Sequence, residues 1–212
     1  MRSVLLICSL LFLYDPLFAQ DTVTIHHTWY TTCFDNQKHI PYLVQYSLTA
    51  EMLSCYSPMK RTNRFKADPL DAEASNLNND YKASGYDRGH NMSAEDNKCD
   101  ATGMKECFYF TNMFPQTHHL NAGVWKTVET MERQYAIDEG KIYVYIGSKG
   151  IKTTIGEDAV AVPDSCWKVI YHYKSNAWEG YIFPNDNEAG KDPAPYMIPN
   201  ETLFDRIGMT LH

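Results

Sequence analysis

Residues 108–137 read FYFTNMFPQTHHLNAGVWKTVETMERQYAI, and the change of period inside this stretch decides the fold class. Phe108 to Asn112 is rich in aromatic and β-branched residues and predicts a strand. From Asn121 to Ile137 the apolar residues Val124, Trp125, Val128, Met131 and Tyr135 recur at spacings of three and four, the pattern of an amphipathic helix.

Further strands are predicted over Pro41–Thr49, Lys141–Ile146, Cys166–His172 and Glu179–Phe183. A short closing helix is predicted over Asn200–Ile207, capped by Asn200 and ended by Gly208. Arg61 to Gly85 is polar and reads as a long surface loop. The chain is therefore expected to be α+β.

The 212 residues are 44% hydrophobic and 21% charged, which fits one globular domain and excludes disorder. A formal net charge of −7 argues against a protein that holds nucleic acid by bulk positive charge, though not against a local basic patch. Met1-Arg2-Ser3 followed by the apolar run Val4–Leu13 reads as a secretory signal peptide ending at residue 19 or 20. That reading places the protein outside the cell or in the periplasm, with residues 21–212 as its single domain. No later run is long enough to cross a membrane. Five cysteines follow the leader; Cys99 and Cys107 flank a short turn-rich loop and are the most plausible disulfide pair. No CxxC occurs, so zinc has little support.

Asp87-Arg88-Gly89-His90 packs an acid, a cation and an imidazole together. By itself it is a weak signal, equally readable as a solvated turn. Thr111-Asn112 with Pro115-Gln116 follows, and then Asn121, Glu129 and Arg133, which share one broad helix face. The bland reading of Glu129 and Arg133 is a surface i,i+4 ion pair. His118-His119 is read as packing at the helix approach, His26-His27 as surface or strand edge, and Trp167 and Trp178 as core aromatics.

In register, these three motifs resemble the DNA/RNA non-specific endonucleases with the ββα-metal motif, from about Tyr42 to the C-terminus. The resemblance implies an αβα sandwich around an antiparallel sheet and a metal-dependent endonuclease acting on DNA and RNA through phosphate contacts. It implies His90 as general base, Asn121 as the ligand of one Mg²⁺ (with Mn²⁺ as a substitute), and Glu129, Asp87 and Gln116 around the ion's waters. Asn112 would orient His90 or the phosphate, and Arg88 and Arg133 would face phosphate oxygens. Arg64 is the further phosphate candidate, with Arg61 as the alternative. Some members of the family are dimers, so a homodimer is a further expectation. The rival readings are an inactive nucleic-acid-binding module of the same fold and a phosphodiesterase acting on small nucleotides.

Overall fold

The computed structural model describes residues 22–71, 73 and 76–211, so the leader expected over residues 1–20 lies outside the described residues. Eleven strands are present among the described residues: β1 (Thr22–His26), β2 (Thr31–Asp35), β3 (Ile40–Thr49), β4 (Tyr86–His90), β5 (Met113–Thr117), β6 (Lys141–Lys149), β7 (Thr153–Ile155), β8 (Val160–Val162), β9 (Ser165–His172), β10 (Ala177–Pro184) and β11 (Met197–Ile198). The helices are α1 (Asn78–Tyr81), α2 (Ala101–Glu106), α3 (His118–Leu120), α4 (Lys126–Glu139) and α5 (Leu203–Ile207). Strands β1-β2-β3-β6-β9-β10-β11 form one seven-stranded antiparallel sheet. No helix among the described residues is long and apolar enough to cross a membrane.

Period-two alternation in the central strands feeds two cores. Ile142, Val144 and Ile146 of β6, with Cys166 and Ile170 of β9, face the larger core with Val124, Trp125, Val128 and Ala136. Tyr145, Trp167 and Val169 face the other way, against Leu203, Ile207 and Leu211. The sheet is thus covered by α4 on one face and α5 on the other, the α+β layering expected. Trp167 is buried and Trp178 packs in the second core, as read from the sequence.

The expected strand at Phe108–Asn112 lies too early. Phe110–Asn112 is a single 3₁₀ turn, and the strand is Met113–Thr117. Phe108 and Phe110 are buried there for their apolar area, not for sheet pairing. The closing helix begins at Leu203 after a 3₁₀ turn over Asn200–Thr202; Asn200 caps nothing, whereas Gly208 ends it in the left-handed region at φ 77°. Among the described residues of 61–85, the regular structure is α1 and one bridge between Lys66 and Tyr109.

The disulfide joins Cys55 to Cys99, not Cys99 to Cys107. Helix α2, capped by the Asp100 carboxylate on the Gly103 amide, separates the expected pair and turns Cys107 into a core of Ala94, Met104 and Phe108. Burial pushes the Cys107 thiol up to about 12, so it stays protonated. Cys33, Cys107 and Cys166 are free thiols.

Candidate active site

Strands β4 and β5 form a separate two-stranded ribbon, paired Tyr86 to Thr117 through His90 to Met113. The ribbon leads straight into the helical segment. Asp-Arg-Gly-His is therefore a strand and not a solvated turn. Gly89 is required by packing: a Cβ there would meet the Gln116 side chain at 2.1 Å. Thr117 caps α3 by accepting from the Leu120 amide at 3.3 Å. Asn185, which sequence reasoning passed over, pins this junction by accepting from the Thr117 amide and donating to the Pro115 and Pro163 carbonyls. The helix then widens into a π turn over Asn121–Trp125, with a kink at Gly123 (φ −98°, ψ −119°), before α4 resumes a regular course. Such wide turns often mark functional positions because they re-aim a side chain.

One cavity of about 430 Å³ is lined by Arg61, His90, Ser93, Glu95, Asn121, Lys126, Glu129 and Arg133. Nothing local in the sequence joins Arg61 to Arg133; the fold does. His90 is 5% exposed and its Nε2 has no hydrogen-bond partner. Its ring packs edge-on against Phe108 at 4.9 Å and tilts against Phe65 at 5.6 Å, while its carbonyl accepts from the Trp125 indole at 3.1 Å. Burial, with the Arg61 charge added, lowers its pKa to about 3. The ring is therefore neutral at physiological pH, which is the form a proton acceptor needs.

Asp87 Oδ2 accepts from the Asn121 amide nitrogen at 2.9 Å and is also bonded to His118 Nδ1 at 2.9 Å. The Asn121 amide is thereby oriented, and its carbonyl oxygen is left uncommitted at the cavity. His118 is an exposed partner of this carboxylate, not a packing residue. Among the described residues Glu129 has one side-chain hydrogen bond, from the Ser93 hydroxyl at 3.4 Å. Burial raises its pKa to about 7 against the opposing pull of Lys168, with Asp96 and Glu132 adding to the rise. Arg133 lines the cavity but is held by the buried Asp96 at 3.0 Å.

The donors fit a hard divalent ion. Among the described residues no three His, Cys, Asp or Glu side chains gather as a ligand cage. An ion here would meet one amide oxygen, with the Glu129 and Asp87 carboxylates nearby, and would keep most of its waters. That is a magnesium-like preference and unlike the closed nitrogen–sulfur cage of structural zinc.

Four expected residues lie elsewhere. The Arg88 guanidinium donates to the Asn78 carbonyl at 2.9 Å and sits over Phe65 and Tyr81, where it clamps the long loop. Asn112 is fully buried: Oδ1 accepts from the Met92 amide, and the amide group donates to the Met92 and Cys107 carbonyls. It holds the chain just after His90 rather than touching the imidazole. Gln116 is fully buried under Gly89, beside Cys166. Arg64 is exposed and outside the cavity, whereas the alternative, Arg61, lines it. His27, expected at the surface, is instead buried against Asp68 at 2.8 Å, and Asp68 also accepts from Thr111.

Residues 13–207 match the DNA/RNA non-specific endonuclease family. The chain belongs to that family. As a family member it is 32% identical over 167 residues to mouse "Nuclease EXOG, mitochondrial", covering 73% of this chain and 45% of that protein. It is 28% identical over 196 residues to human "Endonuclease G, mitochondrial", covering 85% of this chain and 66% of that protein. The chain thus spans about half the length of the EXOG relatives it matches. In structure it resembles EndoG from an EndoG/EndoGI inhibitory complex, with a TM-score of 0.78, 27% identity, and coverage of 91% of this chain and 86% of that one. This likeness gives the family member the ββα-metal nuclease fold. The relatives' names also overturn the secreted or periplasmic location expected from the N-terminus, because they are mitochondrial nucleases.

Proposed function

We propose that the chain is a Mg²⁺-dependent endonuclease that hydrolyses phosphodiester bonds within DNA and RNA and leaves 5′-phosphate ends. The observation that carries the reading is the cavity that gathers a neutral imidazole with an unpartnered Nε2, an oriented amide oxygen and guanidinium groups around one space. In this reading residues 21–212 form one nuclease domain, and the mitochondrial relatives suggest the same compartment for it.

His90 Nε2 takes the proton of the attacking water. Burial keeps the ring unprotonated but lowers its basicity, and the Phe65 and Phe108 edges fix its plane. Arg61 and Arg133 face phosphate oxygens, for which a planar guanidinium is suited. Asn121, held by Asp87, would hold the ion directly, and Glu129 would orient the ion's waters. A bound divalent ion supplies stabilisation of charge on the phosphate and the leaving oxygen. Every one of these contacts is to phosphate or ion, so little base preference is expected.

The test is supercoiled plasmid incubated with the protein and Mg²⁺ or EDTA, beside His90→Ala. Nicking followed by degradation by the unaltered protein alone, stopped by EDTA, is the expected result; intact plasmid across buffers and divalent ions would refute the reading. Asn121→Ala should raise the Mg²⁺ concentration needed for half-maximal cleavage at least tenfold, or about one lost oxygen ligand's worth of affinity. An unchanged titration would move the ligand elsewhere.

A further inference from the structure

Residues 52–67 contain no acid, in a chain whose overall balance is −7, and Lys60, Arg61, Arg64 and Lys66 fall within seven positions of one another. This stretch is pinned at both ends to the frame of the cavity. At its start Cys55 is bonded to Cys99, and the Met59 amide donates to the Lys98 carbonyl at 2.8 Å. At its end Phe65 packs on His90, and Lys66 exchanges backbone hydrogen bonds with Phe108 and Phe110. Between the pins the residues are exposed, and Arg61 leans over Phe108 into the cavity. Tyr56, next to the disulfide, is 105% exposed, while the other exposed large apolar side chains reach at most 65%. A ring exposed to solvent on a loop tethered at both ends, followed by four cations within seven residues, has the makeup of a single-strand track. Every base offers a face to stack on, and the cations follow the backbone.

We propose that the Tyr56–Lys66 loop is a substrate arm for single-stranded nucleic acid, with Tyr56 stacking on one unpaired base and Lys60 and Arg64 contacting phosphates beyond the one at His90. This gives Arg64 a place on the substrate path outside the cavity, and it biases the protein towards unpaired segments. It rests on the nuclease reading for which phosphate is cut, but its recognition chemistry is separate.

The test is binding, measured in the His90→Ala background in EDTA so that it does not depend on cleavage. A single-stranded oligonucleotide carrying 2-aminopurine is titrated beside a blunt duplex. The expected result is fluorescence quenching on the single strand, a roughly tenfold weaker Kd on adding Tyr56→Ala, retention with Tyr56→Trp, and little change for the duplex. Lys60→Ala and Arg64→Ala should each lower the salt slope for the single strand by about 0.7. No effect of Tyr56→Ala, or equal weakening of single strand and duplex, would overturn the stacking role; unchanged salt slopes would overturn the phosphate contacts. Plasmid cleavage without the Tyr56 effect would leave the nuclease reading standing and remove this one, and the converse pattern would do the reverse.

Discussion

Helix α4 carries two glutamates three residues apart whose surroundings differ completely. Glu132 is fully buried, and both of its oxygens accept from Lys168 Nζ, at 3.0 and 3.1 Å, with the Tyr46 hydroxyl as a third partner. The Lys168 ammonium also sits 4.6 Å over the Trp125 ring, so that pair ties the helix to the sheet. Glu129, one turn earlier, opens onto the cavity with a single long contact to Ser93. The same division separates Asn112, whose amide is saturated by backbone, from His90, whose Nε2 has no partner. Buried polar groups that are fully bonded hold the scaffold. Among the buried groups left short of partners, His90 Nε2 borders the cavity, where a substrate or an ion can complete it, while others, such as both polar atoms of the Gln116 side chain, lie away from it.

The largest expected effect falls on the unsatisfied side. His90→Ala should lower plasmid cleavage by about 10²–10⁴, the usual range for a general base, while far-UV circular dichroism stays unchanged. Cleavage within tenfold of the unaltered protein would remove His90 as the base. On the satisfied side, Glu132→Ala leaves an uncompensated buried ammonium and should cost about 3–5 kcal/mol of stability, read from the urea midpoint. A loss under about 1 kcal/mol would mean that the pair is not a tie. Asn112→Ala should cost about 1–3 kcal/mol by freeing three backbone groups. If it instead cut turnover with an unchanged midpoint, Asn112 would belong with His90 after all.

How much of this was legible in the sequence follows the same division. The helix period from Val124 to Tyr135 and the alternating strands at 141–146 and 166–172 are local patterns, and the structure keeps them. The strand after Asn112 slipped by several residues, because an aromatic run buried on a 3₁₀ turn has the same composition as a strand. His90, Asn121, Glu129 and Arg133 were reachable from spacing and resemblance, and one cavity gathers them. Arg88, Asn112 and Gln116 carry equally polar side chains, but which face each takes depends on β4–β5 pairing and on α1, which spacing does not encode. The Cys55–Cys99 bond, the Asn185 pin and the Lys168–Glu132 tie join residues 44, 68 and 36 positions apart and have no local signature.

The smallest effect tests the comparison most finely, through pH. The pKa of Glu129, raised to about 7 by burial, differs from the ordinary carboxyl value of 4.5 expected in the unfolded chain. The native state therefore holds a proton that the unfolded state has lost between these values. Its contribution to stability is full below 4.5 and declines as pH rises through 7. Asp96, raised to about 6, acts in the same sense, and His90, lowered to about 3, acts oppositely below 6.5; both remain in the variant. Glu129→Gln fixes the neutral form, so in EDTA its stability relative to the unaltered protein should rise steadily from pH 4.5 to 7.5. Glu132→Gln, which removes a carboxylate whose charge Lys168 compensates, should lose stability across that same range. Parallel pH profiles for the two variants would mean that the cavity holds Glu129 no differently from its bonded neighbour, and the distinction between the two faces of α4 would fall.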